Sequence, residues 1–510
     1  MKILDCTLRD GGYYTNWDFN DQLVETYMQS MNSLPIEYIE IGYRSMPKSG
    51  YLGEYYYLPV YVIEKLKSLT TKKLVVILDE KDTKLQDLDH LLGPCVGLVT
   101  MVRMAIDPAN FERAIALARE IKKMGFEVGF NVMYMSKWKG LTGFWDLLPQ
   151  IDDVSDYFYM VDSYGGVYPE DVREIFQLVS AKTTVPIGFH GHNNLELGLI
   201  NTLTALECGA KIVDSTVTGM GRGAGNLKTE LLLTALNAKN GLEFDFNALS
   251  KTVTGFEELR EKYQWGTNLP YMVSGANSLP QKDVMDWVGK RYYSFNSIIR
   301  ALHNQSLGLK DNQELPKLNV SISAEKLLIV GGGETVSNNV EAIRNLLHKN
   351  PEMVVVHSSS KNALVFSEIS NQQFFCLVGN EGHRMEEIFK GKLPKDAICV
   401  LPPYPRKMGT YVPELLTNRS FELSEINFTD TYIDSCSAIA LQLSLAIQPK
   451  IVYLVGYDGY SDAQIGQKEQ ELFLENEYLF EKTKPFDLKL ISLTPTSYAG
   501  LEHHSIFSLI

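Results

Sequence analysis

The stretch "VPIGFHGHNN" (185–194) opens as an apolar run and ends in two histidines separated by a single glycine. A short apolar run punctuated by Pro and Gly reads as a buried β-strand. Residues i and i+2 of a strand project from the same side, so His190 and His192 stand together at its end. Working outward, this run is the seventh of eight. The others are "KILDCT" (2–7), "EYIEIGY" (37–43), "KLVVILD" (73–79), "GLVTMVR" (97–103), "EVGFNVMYM" (127–135), "DYFYMVDS" (156–163) and "KIVDSTVTG" (211–219). Amphipathic segments such as "NFERAIALAREIKKMG" (110–125) separate them, with apolar residues three and four apart. Such alternation implies parallel βαβ units. Eight units in succession predict an α/β fold closed into a (β/α)8 TIM barrel, with a doubly wound open sheet as the alternative.

Residues 221 to about 310 read as mostly helical. "FEELREKYQWG" (256–266) and "VGKRYYSFNSIIRALHN" (288–304) are expected to pack on the barrel as a C-terminal helical extension, giving a first domain of 1–305. The polar stretch "NQSLGLKDNQELPKLNVSISAE" (304–325) has no periodicity, so 306–325 is read as a linker. A second alternation starts at "KLLIVGGGETVSNNVEAIRNLL" (326–347). It continues through "MVVVHSS" (353–359), "FFCLVGN" (374–380), "AICVLP" (397–402), "KIVYLVGYDG" (450–459) and "LKLISLT" (488–494). Six strands are therefore expected in a second α/β domain, 326–510.

The chain has 510 residues, more than one core of ordinary size, and a net charge of -14. That acidity disfavours nucleic acid or an anionic membrane as partner. No apolar run reaches the ~20 residues a membrane span needs, and the opening "MKILDCTLRD" is too polar for a signal peptide. The six cysteines form no CxxC pair, which fits reduced thiols and a cytoplasmic location.

In such a barrel the active site lies at the C-terminal ends of the strands. Strand 1 is expected to end in Arg9-Asp10, with Gly11-Gly12 freeing the backbone to turn. Strand 2 ends near Glu40, Gly42 and Arg44, strand 4 in Arg103 and strand 6 in Asp162-Ser163. Strand 8 runs into "TGMGRGAGNLKTE" (218–230). Two imidazoles and the Asp10 carboxylate, with coordination positions left over, suit a catalytic divalent metal. The structural alternative is a buried Arg9–Asp10 ion pair beside two core histidines.

With "TLRDGG" (7–12), "FHGHNN" (189–194) and "GMGRGAGNLKTE" (219–230) in this order, residues 1 to about 300 resemble the DRE-TIM metallolyases. These metal-dependent barrel aldolases and lyases include hydroxymethylglutaryl-CoA lyase. "YQWGTNLPYMVSG" (263–275) is similar to the 4-hydroxy-2-oxovalerate aldolase branch. The resemblance implies Asp10, His190 and His192 as metal ligands, completed by Asn226, with Mn²⁺ or Mg²⁺ as cofactor. It implies Arg9 beside the enolate of pyruvate or a related 2-oxoacid, and an aldehyde as the second substrate. Ser163 is placed to hold the pyruvate carboxylate or to cap the following helix. Arg103 and Glu40 are placed to support substrate, Glu40 alternatively to form an ion pair with Arg44 or Arg103. The branch carries a histidine shortly after its RDG; here Tyr13 and Tyr14 stand instead, so Tyr13 is the acid/base candidate. The aromatic loop 44–59 is expected to shape the partner pocket. An acyl-CoA lyase or Claisen-type synthase is the enzymatic rival, and an inert barrel serving as a binding protein is the other. A homodimer is compatible with either.

In the second domain, Gly331, Gly332 and Gly333 lie between a strand and a helix, a setting suited to a phosphate. Val336 occupies the third glycine's place, so no full GxGxxG is present. "VGGGET" and "AIALQLSLAIQPKIVYLVGYDGYS" (438–461) resemble the Rossmann-like domains of motility accessory factors and sialyltransferase-like enzymes. That resemblance implies a nucleotide or nucleotide-sugar ligand and, by analogy, surface-sugar biosynthesis. A tight turn that binds nothing is the alternative.

Overall fold

Eight parallel strands close on themselves in chain order: β1 (Lys2–Asp5), β2 (Tyr38–Tyr43), β3 (Lys73–Asp79), β4 (Met101–Ile106), β5 (Glu127–Val132), β6 (Tyr157–Asp162), β7 (Ile187–Gly191) and β8 (Ile212–Ser215). Closure is made by β8 on β1, with Ile3 opposite Val213 and Leu4 opposite Asp214. This computed structural model describes all residues but 291–292, 321, 391, 395 and 461–466. Arg291 and Tyr292 of the stretch 288–304, Ser321 of the expected linker and Ser461 of the stretch 438–461 therefore lie outside the described residues. Two compact units result, Met1–Met285 and Asp286–Ile510. The helix Phe295–Ser306 falls in the second unit, so the boundary expected at 305 lies inside it.

The strands are apolar throughout because both faces are covered. Outward residues such as Ile39, Val102, Phe130 and Phe158 pack in the large core that includes the surrounding helices. Inward residues Tyr38, Met101, Tyr157 and Ile212 fill the barrel's lower interior. Two residues further along β2, β4, β6 and β8 the inward positions become Glu40, Arg103, Tyr159 and Asp214. Alternate strands thus build one layer, as expected for this barrel, but the layer is polar and buried.

Two strand ends differ from expectation. β1 stops at Asp5, and Arg9 to Gly12 lie inside the helix Thr7–Thr15. Gly11 and Gly12 therefore permit close approach and do not relax a strand end. A Cβ on Gly12 would meet the Trp17 indole at 2.2 Å, and one on Gly11 would meet Met220 Sδ at 2.5 Å. β4 runs on to Ile106, so Arg103 sits within the strand and not at its end. The local cause is "MAI", which continues the apolar run past the arginine.

In the second unit, the described residues form a parallel sheet of β9 (Lys326–Val330), β10 (Val354–His357), β11 (Gln373–Cys376), β12 (Ile398–Leu401), β13 (Ser420–Glu422), β14 (Ile451–Val455), β15 (Leu490–Ser492) and β16 (Glu502–His503). Their order is β13-β12-β11-β10-β9-β14-β15-β16. The strand order reverses at β9, and Gly331–Gly333 follow it directly. The two strands beyond the expected six, β13 and β16, are three- and two-residue edge strands, too short to imprint a period. Among the described residues no helix is long and apolar enough to cross a membrane.

Candidate active site

The helix Thr7–Thr15 starts straight after β1, which carries its first turn across the barrel mouth. Arg9 donates from Nε to Glu40 Oε2 at 2.7 Å and from Nη1 to Asp10 Oδ1. Asp10 also accepts from Asn226 Nδ2 at 2.6 Å, and its Oδ2 lies 3.9 Å from His190 Nε2. Burial works against the Asp10 carboxylate, yet Arg9 and the two histidines outweigh it and hold its pKa below the ordinary value.

The paired histidines of β7 are side by side, with ring centroids 4.9 Å apart. Each has its Nδ1 engaged: His190 with Asp214 Oδ2 and His192 with the Asp162 carbonyl oxygen, both at 2.8 Å. A carbonyl oxygen only accepts, so His192 Nδ1 carries the proton and Nε2 presents its lone pair. Burial, aided by His190, pushes the His192 pKa down to about 3, so the ring stays neutral. An acceptor behind each Nδ1 is how metal-binding imidazoles are oriented.

Beneath the mouth, Arg103 is fully buried and joins the polar layer together. It donates from Nε to Asn131 at 2.8 Å, pairs with Asp214, lies 3.5 Å from Glu40 Oε1, and sits 4.1 Å over the Tyr159 ring. Arg103 and Glu40 form the ion pair, one of the two readings expected for them, and both are buried with no exposure. Arg44, one expected partner of Glu40, turns away to the carbonyls of Tyr57, Leu58 and Leu91.

The donor set fits a divalent cation. Asn226 Oδ1 is buried with no hydrogen-bond partner among the described residues, although the Nδ2 of the same amide is bound to Asp10. Residues 192 and 226 are bridged through their backbones. Cys6, His190 and Asp214 also cluster within 4.8 Å. Asp214 Oδ2 is already shared by Arg103 and His190, however, and burial, with Asp10 adding, raises the Cys6 thiol pKa well above its ordinary value. Asp10, His190, His192 and Asn226 are the better set because, among the described residues, Asn226 Oδ1 has no hydrogen-bond partner and His192 is engaged through Nδ1, not Nε2.

Tyr13 and Tyr14 part company. The Tyr13 hydroxyl lies 3.1 Å from that of Tyr43, and its ring carries the Arg222 guanidinium at 4.1 Å. Tyr14 donates to the Gly223 carbonyl and packs beside Tyr263 and Trp265, where burial lifts its pKa to about 12. Ser163 accepts from the Tyr134 amide at 2.9 Å and does not cap the next helix, which begins at Pro169 after Tyr168. Asp214, Asn131 and Arg222 were not singled out from the sequence. The available signal was a charged residue within the apolar run "KIVDS".

In the second unit, Gly331–Gly333 line a cavity of about 1260 Å³. A Cβ on Gly331 would fall 2.4 Å from the Gly456 carbonyl oxygen, and one on Gly333 2.4 Å from the Asp458 carboxyl group. Asp458 accepts from the Thr335 amide and hydroxyl, so a carboxylate already occupies the turn where a phosphate was expected. The reason is packing: the glycines admit the β14 loop.

Comparison with known proteins places this geometry in context. Residues 89–261 match the family described as HMGL-like. A 4-hydroxy-2-oxovalerate aldolase from Carboxydothermus hydrogenoformans is 32% identical over 250 residues, covering 48% of this chain and 72% of the relative. An oxaloacetate decarboxylase from Mycobacterium tuberculosis is 27% identical over 252 residues, covering 47% and 71%. Among solved structures, the N-terminal domain of an aldolase candidate from Bacteroides vulgatus is 60% identical with a TM-score of 0.57; the match covers 59% of this chain and 100% of that one.

Proposed function

We propose, from the premise that the chain belongs to the HMGL-like family and is a lyase, that its barrel makes or breaks a carbon–carbon bond through the enolate of pyruvate or a related 2-oxoacid. The second substrate is an aldehyde. Asp10, His190, His192 and Asn226 would hold Mn²⁺ or Mg²⁺. When bound, such a cation supplies Lewis-acid polarisation of the 2-oxoacid. The observation that carries the reading is the pair of Nδ1 hydrogen bonds, which turns both imidazole Nε2 lone pairs to the barrel mouth beside Asp10.

Arg9 holds a fixed positive charge beside the developing enolate oxygen, and Glu40 and Asp10 keep its guanidinium from swinging away. The Tyr13 phenol delivers the proton taken by the aldehyde oxygen as the new bond forms, and removes it in cleavage. Ser163, held by the Tyr134 amide, keeps its own hydroxyl proton for the substrate carboxylate. Glu40, Arg103 and Asp214 act below the substrate as positioning residues.

The test is proton exchange at the methyl group of pyruvate, followed by NMR in D₂O with Mg²⁺. Exchange that is lost on chelation and in Asp10→Ala supports the enolate site. No exchange with pyruvate, but exchange with acetyl-CoA, would move the chain to the acyl-CoA lyases and synthases. Metal-free purified protein with neither activity would favour the inert barrel.

For the second unit the reading is a nucleotide or nucleotide-sugar ligand on a Rossmann-like sheet, with a role in surface-sugar biosynthesis. The cavity at the strand-order reversal supports it, since ligands of such sheets bind there. Seven carboxylates line this cavity against Lys361 and Arg384, so the phosphates enter with a divalent cation and lie away from Asp458. A thermal shift on adding CMP or UDP with Mg²⁺, absent with Mg²⁺ alone, would support the reading; no shift with either nucleotide would count against it.

A further inference from the structure

We infer that Arg222 forms a subsite for an anionic group on the second substrate, so that the aldehyde carries a carboxylate or phosphate. This rests on the enolate reading above and specifies its missing partner.

Arg222 lies in the loop that leads to Asn226. The loop is pinned there: a Cβ on Gly221 would meet Asn226 Nδ2 at 2.7 Å, and the Gly225 amide donates to the Arg222 carbonyl. The Arg222 side chain is half-buried on the Tyr13 ring. Tyr13 follows Arg9 by four residues on one helix, so the two share a face. Arg222 therefore stands on the aldehyde side of the enolate position, against the Tyr13 ring.

Among the described residues Arg222 has no ion-pair partner. The neighbouring carboxylates are taken: Asp10 and Glu40 by Arg9, Glu40 and Asp214 by Arg103. A cation so placed gains less from an aromatic face than a paired carboxylate would give. The charges point the same way. Three carboxylates (Asp10, Glu40, Asp214) against two guanidiniums (Arg9, Arg103) leave −1. A bound divalent cation makes +1, and Arg222 makes +2. The carboxylate of a 2-oxoacid cancels one. While the 2-oxoacid is still in its keto form, with no charge yet on the enolate oxygen, a second anion is needed for neutrality, and the planar Arg222 fork suits a carboxylate or phosphate.

The experiment compares kcat/KM of the Mn²⁺-loaded full chain for pyruvate addition to succinic semialdehyde and glyceraldehyde 3-phosphate with that for butanal and glyceraldehyde. The expected result is at least a tenfold preference for one anionic aldehyde over its neutral counterpart. Arg222→Gln should erase that preference and Arg222→Lys should restore part of it; the favoured anion separates carboxylate from phosphate. Equal use of charged and neutral aldehydes, or a preference unchanged in Arg222→Gln, overturns the subsite. Methyl-proton exchange in the wild type needs no aldehyde and reports the enolate reading separately. If exchange is absent, calorimetric titration with succinate decides the subsite alone: binding at least tenfold weaker in Arg222→Gln supports it, and equal binding overturns it.

Discussion

His190 Nδ1 lies 2.8 Å from Asp214 Oδ2, and the same oxygen receives the Arg103 guanidinium. One carboxylate oxygen thus orients a candidate metal ligand and neutralises a cation of the layer below. Asp214→Leu removes both functions. Mn²⁺ affinity should fall by roughly 10–100-fold, the usual loss when a histidine's supporting acceptor goes. Stability should fall by about 3–5 kcal/mol, because Arg103 keeps its charge but loses its closest carboxylate. Calorimetry and urea denaturation measure the two; unchanged Mn²⁺ affinity would show that His190 needs no such support.

The two tyrosines after the glycines should behave differently. Tyr13→Phe should lower kcat for aldol addition by about 100-fold, the range of a lost general acid. Tyr14→Phe should cost less than about threefold, since its hydroxyl is engaged by the Gly223 carbonyl and the Tyr271 hydroxyl and not by the reacting groups. Steady-state kinetics of both variants is the check, and equal losses would contradict the assignment.

Gly12→Ala should destabilise the protein more than Gly11→Ala. The new methyl at 12 meets the ring of Trp17, which is fixed between Tyr13 and Tyr56; the methyl at 11 meets the flexible end of Met220. Overpacking of the first kind costs about 1–3 kcal/mol. Paired urea melts would reveal the difference, and the reverse order would mean that the indole yields more easily than the thioether.

Burial raises the Asp162 carboxyl to about 7, although the Gly166 and Val167 amides both donate to it. The unfolded chain releases this proton near its ordinary ~3.9, so between about pH 4 and 7 the folded state binds more protons. Stability from this group therefore falls as pH rises through that window and is level above it. Asp162→Asn keeps an acceptor and removes the slope. Relative to wild type the variant should gain a few kcal/mol between pH 4.5 and 8. Urea denaturation at both pH values measures this, and parallel profiles would refute it.

The barrel was legible because eight apolar runs, each covered on both faces, repeat at helix-length intervals. The histidine pair was legible because period two is geometric. Arg9 and Asp10 were found, but their backbone was misread: a helix starting two residues after a four-residue strand leaves no apolar period of its own. Arg103 was misplaced by half a strand because "MAI" looks the same before or after a strand end. The Asp214–Arg103–Glu40 layer depends on three strands distant in sequence, and no local pattern joins them. In the second unit the glycine turn was found, but Asp458, which fills it, lies more than a hundred residues away.

The polar layer inside the barrel has a practical consequence for redesign. Its members are sealed under the mouth and answer to one another, so exchanging any one disturbs the fold before it changes the chemistry. Among the described residues, Arg222 and Tyr43 are joined to it by no ion pair. A library confined to those two positions and the loop 44–59, with Tyr13 kept as the proton donor, can sample new electrophiles while the metal ligands keep their foundation. Chain stability and acceptor choice are then separate variables for an engineer.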